Sequence, residues 1–321
     1  MKKVVIYGLI AIVVIVGGLI AYISATYRVV YDVPYPDIKA STDPAVIARG
    51  EYLVYGPAHC ASCHMSPDKM EAMESGEKVP LQGGFEIPIP PGTFRPRNLT
   101  PDKETGIGNR TDQEIARTMR YQVNHRGEAI VPFMPFGQMS DEDLIACISY
   151  LRSAPAVKNE VPESVYSMLG KFVMRFMIKP DYPPKQVPPK RVIEGPTKEY
   201  GEYLAFNVAN CYGCHTNRDL KTGEFTGEPY AGGLLFEDDL IEGKFMYMAP
   251  NLTPDPETGV IAKWTEAAFI DRFSKGRVHK GSPMPWGNFK SIKEDDLKAL
   301  YAFLMSVKPV KNEVKETKIP M

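Results

Sequence analysis

Residues 60–64 read Cys60-Ala61-Ser62-Cys63-His64, and the pattern returns as Cys211-Tyr212-Gly213-Cys214-His215. The recurrence extends outward from both clusters. Upstream, Gly50-Glu51-Tyr52-Leu53 comes back as Gly201-Glu202-Tyr203-Leu204. Downstream, Asn98-Leu99-Thr100-Pro101-Asp102 comes back as Asn251-Leu252-Thr253-Pro254-Asp255, and each runs on into Glu-Thr-Gly. Met134-Pro135 reappears as Met284-Pro285, and Val157-Lys158-Asn159-Glu160-Val161 as Val310-Lys311-Asn312-Glu313-Val314. The offset stays near 150, so the chain carries two copies of about 120 residues. Such a period means two homologous domains; solenoid repeats are much shorter.

Cys-x-x-Cys-His is a signature of covalent haem attachment. Two thiols three positions apart lie on one side of a helical turn, where they bond the two vinyl groups of a haem. The next residue then places an imidazole under the iron. Cys60, Cys63, Cys211 and Cys214 are therefore the expected thioether residues, and His64 and His215 the proximal iron ligands, of two haem c groups. A zinc site built from two Cys-x-x-Cys knuckles expects them about 15–20 residues apart, far less than the gap from Cys63 to Cys211. A thioredoxin-like centre needs alternating strands and helices, which the pattern lacks. Structural disulfides suit an exported chain but do not explain a His after each pair.

The sixth iron position separates electron transfer from catalysis. Met134 and Met284 are the expected distal ligands, because they occupy equivalent positions in Pro-flanked loops before the last helix of each copy. His125 and His279 compete, but one precedes and the other follows the glycine on which the copies align. Met139 has no counterpart in the second copy. His59 reads as a surface residue and Cys147 as a buried free thiol on the last helix of the first copy. Arg95 and Arg97 are candidates to neutralise haem propionates, with ordinary surface cations as the alternative.

The coarse plan of each copy is helical. Asp43-Pro44 and Thr197 open the first helices. Thr111-x-x-Glu114 is a capping box for the middle one, with Thr265 as its twin. The last helices are expected after Ser140 and Ser291, with Leu144, Ile145, Ile148 and Leu151, and then Leu297, Leu300 and Leu304, at helical spacing. The fold class expected is all-α: two tandem haem domains behind a single transmembrane helix. The boundaries expected are 1–27 for the anchor, 28–40 and 159–195 for linkers, and 41–158 and 196–321 for the domains. Within the Pro-rich 159–195 segment, Val165 to Ile178 is apolar with interspersed Lys171 and Arg175. It reads as a short helix packed on a haem domain, or alternatively as one lying on a membrane surface or a partner.

Val4 to Ala25 is uncharged, and those 22 residues make a helix of roughly 33 Å, enough to span a bilayer core. A cleaved signal peptide is the alternative, but it has a shorter apolar region and a small-x-small site, and Ile23 breaks that site. Lys2 and Lys3 favour a cytoplasmic N-terminus. This puts the haem domains on the periplasmic or outer side of the inner membrane. The chain has 321 residues, 29 Pro and a formal net charge of −1, which becomes −3 without Lys2 and Lys3. This balance excludes a nucleic-acid binder, which carries a basic surplus, and suits a basic soluble redox partner.

With these motifs assembled, both copies resemble class I cytochrome c domains. The pair resembles the cytochrome c subunits of membrane-bound bacterial alcohol, gluconate and sorbitol dehydrogenases over roughly residues 41–315. The resemblance rests on the haem signature, the Asn-Leu-Thr-Pro-Asp segment and the Met-Pro segment. It implies the same proximal and distal ligands, His64 with Met134 and His215 with Met284. Those subunits carry three haem domains where this chain has two. The family's Trp before the middle helix is kept as Trp264 but replaced by Arg110 in the first copy, and Phe136 and Trp286 stand where the family has Tyr. The missing third domain sets the chain apart from those subunits, and the residues themselves read as a non-catalytic, membrane-anchored dihaem carrier. It would take electrons from a dehydrogenase or quinol-oxidising complex and pass them to a soluble cytochrome or terminal oxidase. The competing readings are a dihaem peroxidase or thiosulfate dehydrogenase, and a haem-bearing structural subunit of a respiratory supercomplex.

Overall fold

The computed structural model describes residues 2–220, 222–237 and 243–321. Helix α1 (Lys2–Thr26) has a mean hydropathy of 2.9 over its most apolar stretch, none of which is buried, and is long enough to cross a membrane. The first copy contains α2 (Pro44–Tyr55), α3 (Ala61–His64), α4 (Met70–Ser75), α5 (Asp112–Tyr121) and α6 (Asp141–Ser153). Helix α7 (Met168–Phe176) follows. The second copy contains α8 (Lys198–Tyr203), a π-turn over Leu204–Val208, α9 (Cys211–Cys214), α10 (Glu266–Ser274), α11 (Trp286–Phe289) and α12 (Glu294–Leu304).

Local chemistry sets several of these starts. Asp43 accepts from the Ala45 amide at 2.8 Å, with Pro44 in the first turn. Thr111 and Glu114 form the reciprocal capping box, and Ser140, Thr197 and Thr265 each accept from the amide three residues on. Ser291 behaves differently. Lys293 stands at the N-cap of α12, and the Ser291 hydroxyl donates to the carbonyls of Asn288 (2.7 Å) and Tyr55 (3.2 Å). Ser291 stands two residues ahead of that N-cap, so its hydroxyl is not at the capping position and bonds the neighbouring carbonyls instead.

Each copy pairs its first and last helices, α2 on α6 and α8 on α12. Gly50 and Gly201 make the approach possible: a Cβ there would sit 1.8 Å from the Ala146 oxygen and 1.9 Å from the Ala299 oxygen. The tyrosine two residues later reaches the other copy. Tyr52 donates to Asp296 at 2.6 Å and accepts from the Lys293 amide at 3.2 Å. Tyr203 donates to Asp143 at 2.8 Å and accepts from the Ser140 amide at 3.0 Å. Each hydroxyl thus serves an orphan amide and an acidic side chain at a helix N-terminus of the opposite copy. The repeated Gly-Glu-Tyr-Leu is accounted for by this reciprocal exchange. Leu53, Leu144 and Ile148 of the first copy and Leu204, Leu297 and Leu300 of the second belong to one continuous apolar core.

The structure is mostly helical but also holds two small antiparallel sheets. In one, β2 (Gly92–Phe94) lies between β1 (Ile87–Ile89) and β3 (Val165–Tyr166). In the other, β5 (Phe245–Met248) lies between β4 (Leu235–Phe236) and β6 (Lys318–Pro320). The two sheets occupy equivalent places in the repeat. Strands of two to four residues are too short to show a period of two in the sequence.

Candidate functional site

Both Cys-x-x-Cys-His segments form single helical turns, with Cys60 and Asn210 at the respective N-caps. The His64 Nδ1 lies 2.8 Å from the Arg97 carbonyl oxygen, and the His215 Nδ1 lies 3.1 Å from that of Pro250. These carbonyls are equivalent, since each belongs to the residue before the repeated Asn. Desolvation lowers the pKa of both imidazoles, so they are neutral at pH 7. A neutral ring that donates Nδ1–H to a carbonyl keeps its Nε2 lone pair for a metal, in a fixed orientation.

The Asn-Leu-Thr-Pro-Asp segments hold those carbonyls still. Asn98 and Asn251 are buried, and each donates Nδ2–H to a tail carbonyl at 2.8 Å, that of Val157 or Val310. Each Oδ1 accepts from the amide and hydroxyl of the following Thr100 or Thr253. The repeated motif and the repeated tail are therefore one clamp under each histidine.

Cys60, Cys63, His64 and Met134 all line a single cavity of about 800 Å³. That is within the ~300–1,000 Å³ typical of small-molecule and cofactor sites. His125 and Cys147 line it as well. His59 is not a surface residue: it is half-buried, lines the same cavity and packs edge-on against Phe289 of the second copy. Met139 is fully buried in the core, and its carbonyl accepts from Arg120. Arg95 and Arg97 border the cavity, but both already donate within the protein. Arg95 binds Glu86 at 2.6 Å and the Glu163 carbonyl at 2.8 Å, and Arg97 binds the carbonyls of Val161 and Pro162.

In the second copy His215 is buried, while Cys211 and Met284 pack against the core. The two Met-Pro loops are held from behind. Gln122 donates to the Met134 carbonyl at 2.8 Å, and Arg277 to the Met284 carbonyl at 3.2 Å. Arg277 is itself gripped by Glu74 of the first copy through two contacts of 2.6 Å. Nothing in the sequence pattern singles out Gln122, Arg277 or Glu74, because they act through backbone carbonyls and across the two copies.

The thiols are not activated. Burial pushes Cys60 up to about 12, Cys63 to about 11 and Cys211 to about 12, and raises Cys214 as well. Reactive thiols sit instead in electropositive surroundings that lower their pKa. Among the described residues no three His, Cys, Asp or Glu side chains converge as a site for a free metal ion. Paired neutral thiols, an imidazole with its Nε2 spare and a thioether around a largely apolar cavity fit a covalently attached haem.

The chain resembles cytochrome c subunits. It is 28% identical over 84% of its length to the cytochrome c subunit of the quinone-type alcohol dehydrogenase of Gluconobacter oxydans, covering 56% of that protein. It is 27% identical over 88% of its length to the fructose dehydrogenase cytochrome subunit of Gluconobacter japonicus, covering 57%. A dihaem cytochrome c-type protein of Cereibacter sphaeroides is 25% identical over 81% of this chain and is itself covered to 85%. The chain thus spans a little over half the length of the dehydrogenase subunits it matches, and most of the dihaem protein. No family model matches it.

Proposed function

We propose that the chain is a membrane-anchored dihaem c-type cytochrome that carries electrons and catalyses no reaction of its own. The observation that carries this reading is the duplicated attachment turn, whose histidine Nδ1 is engaged by an equivalent carbonyl in both copies. Haem c, when bound, supplies an iron that takes up and releases one electron. The protein's own parts hold and tune that iron. Cys60 and Cys63, and Cys211 and Cys214, provide the thioether bonds. His64 and His215 present Nε2, and the carbonyls of Arg97 and Pro250 fix the ring and raise its basicity. Met134 and Met284 would hold the same iron through a thioether sulfur, which favours the reduced state and raises the potential. Repeat equivalence supports the methionines over His125, since His279 is not its counterpart.

One contact between the copies supports transfer between them. Ser62, inside the first attachment turn, donates to Asn288 at 2.7 Å, and Asn288 lies four residues after Met284. The first attachment site thus abuts the segment that carries the second distal ligand. A dehydrogenase or quinol-oxidising complex is the donor class proposed, with a soluble cytochrome or terminal oxidase as acceptor. Lys2 and Lys3 ahead of the apolar span support a cytoplasmic N-terminus, and with it both sites on the outer side of the inner membrane.

The test is a haem stain and intact mass of the full chain, followed by reduced-minus-oxidised spectra with and without carbon monoxide. Two covalently held haems and no carbon monoxide binding are expected. Met134→Ala admits the gas at one haem, whereas Met139→Ala only destabilises the core. Ready binding to the unaltered protein would favour a catalytic haem and overturn the carrier reading.

A further inference from the structure

Helix α7 leaves its apolar side uncovered. Leu169, Phe172 and Phe176 fall at i, i+3 and i+7 and are 52%, 43% and 43% exposed, and Met168 and Met177 flank them at 39% and 43%. The opposite side is fixed to the protein. Gly170 is buried so closely under the Pro91 carbonyl that a Cβ would lie 1.8 Å from it, and Met174 lines the first cavity. An amphipathic helix that presents this much apolar surface requires a cover.

Its position indicates what the cover is. Helix α7 packs against α1, at the end where α1 emerges toward the folded copies. Arg175 donates to the Tyr22 hydroxyl at 2.9 Å. The Lys171 ammonium lies 5.6 Å from the centre of the Tyr27 ring, and the Lys179 ammonium 5.7 Å from that of Tyr31. Leu19 and Ile20 of α1 are exposed at the same end, 51% and 45%. The apolar face of α7 is therefore continuous with the lipid-facing surface of α1. Tyrosines and cations band the junction, as they do at a membrane interface.

We propose that α7 lies in the headgroup region of the bilayer, with Leu169, Phe172 and Phe176 entering the acyl boundary and Lys171, Arg175 and Lys179 meeting anionic lipid. The proposal rests on the reading that α1 crosses the membrane. Lys171 and Arg175 stand one turn apart on α7 beside the apolar stripe and Lys179 follows just past its end, a distribution that suits a helix held by burial and by anionic headgroups together. Tyr27, Arg28, Tyr31 and Met174 all border the first cavity, so this second attachment holds that cavity against the membrane surface rather than letting it swing on a single tether.

The test uses the full chain with its haems, spin-labelled through Phe172→Cys. The four attachment cysteines are consumed and Cys147 is buried, so only the new thiol reacts. The protein is reconstituted into vesicles of phosphatidylcholine with phosphatidylglycerol. Collision of the label with dissolved oxygen, which concentrates in lipid, is compared with collision with a water-soluble nickel chelate. Val13→Cys in α1 and Val187→Cys, whose native residue is 89% exposed between the copies, mark the lipid and water limits. Oxygen access severalfold above nickel access at 172, as at 13, supports the proposal. Nickel access as high as at 187 overturns it. Exclusion of both reagents means that a protein covers the face, and also overturns it. Nickel access at 13 would mean that the anchor reading itself has failed, a distinguishable outcome. Lys171→Glu is expected to lower oxygen access at 172 more in vesicles with phosphatidylglycerol than in phosphatidylcholine alone, and an equal effect in both would refute the anionic-lipid contact.

Discussion

Glu74→Gln tests whether the first copy holds the methionine loop of the second. Glu74 and Arg277 meet at 2.6 Å, with side chains only 18% and 13% exposed. An exposed ion pair is worth about 0.5 kcal/mol, and breaking a buried one costs about 3–5 kcal/mol. This pair is mostly enclosed, and Arg277 keeps its bonds to the carbonyls of Ser282 and Met284 when Glu74 is neutralised. The expected loss is therefore about 2 kcal/mol, between those limits. Concentrated on the Ser282–Pro285 loop, that is about a 30-fold rise in the open population. Met284, the proposed ligand, would then leave the iron more often. The assay is the methionine–iron charge-transfer band of the ferric protein, followed through a redox titration and a denaturant series. The band should weaken for one haem of two, that haem should fall in potential, and the unfolding midpoint should drop. Arg277→Lys keeps the charge but loses the fork, and should fall between the variant and the native protein. If Glu74→Gln leaves the band, both potentials and the midpoint unchanged, the contact does not hold the loop and the reasoning fails.

Tyr52→Phe and Tyr203→Phe should each cost about 2 kcal/mol, the value of a hydrogen bond to an ionised group, and because Arg49 binds Asp143 and lies over the Tyr52 ring, the two losses should be coupled rather than strictly additive. Denaturant unfolding of the single and double variants measures this, and a double variant whose loss equals the sum of the single ones would contradict it. Burial raises the pKa of Asp296 above its usual 3.8. Its contribution to stability is thus full below 3.8 and is lost as pH rises through the raised value. Asp296→Asn should remove that slope, so the stability difference between native protein and variant turns against the native chain across this window. A difference independent of pH would show that the carboxyl is not desolvated. Gly50→Ala and Gly201→Ala should each destabilise by at least ~3 kcal/mol through overpacking, since backbone oxygens stand 1.8 and 1.9 Å from the new atom. Near-native thermal midpoints would show that the helix pairs can part at little cost.

The residues of the candidate site were legible in the sequence to the extent that their chemistry is local. A haem attachment turn needs its thiols and imidazole within five consecutive residues, so Cys60 to His64 and Cys211 to His215 declare themselves. Met134 and Met284, the proposed distal ligands, were reached only through the repeat, because such a ligand meets the proximal one through space. The capping box at Thr111 was readable because its partners are three residues apart. The last helix of the second copy does begin after Ser291, at Glu294, but that serine's bond to Tyr55, 236 positions away in the chain, was not legible.

By itself the sequence determined the duplication, the apolar N-terminal span and the two Cys-x-x-Cys-His motifs, all of which are carried by neighbouring residues or by repetition. Only the tertiary structure decided why Gly-Glu-Tyr-Leu repeats, what clamps the histidine-orienting carbonyls, and which copy grips the loop of Met284. It also placed the small sheets, the inward turn of His59 and the exposed side of α7. Each of these depends on groups brought together by packing from distant parts of the chain, and no spacing along the chain records such a meeting.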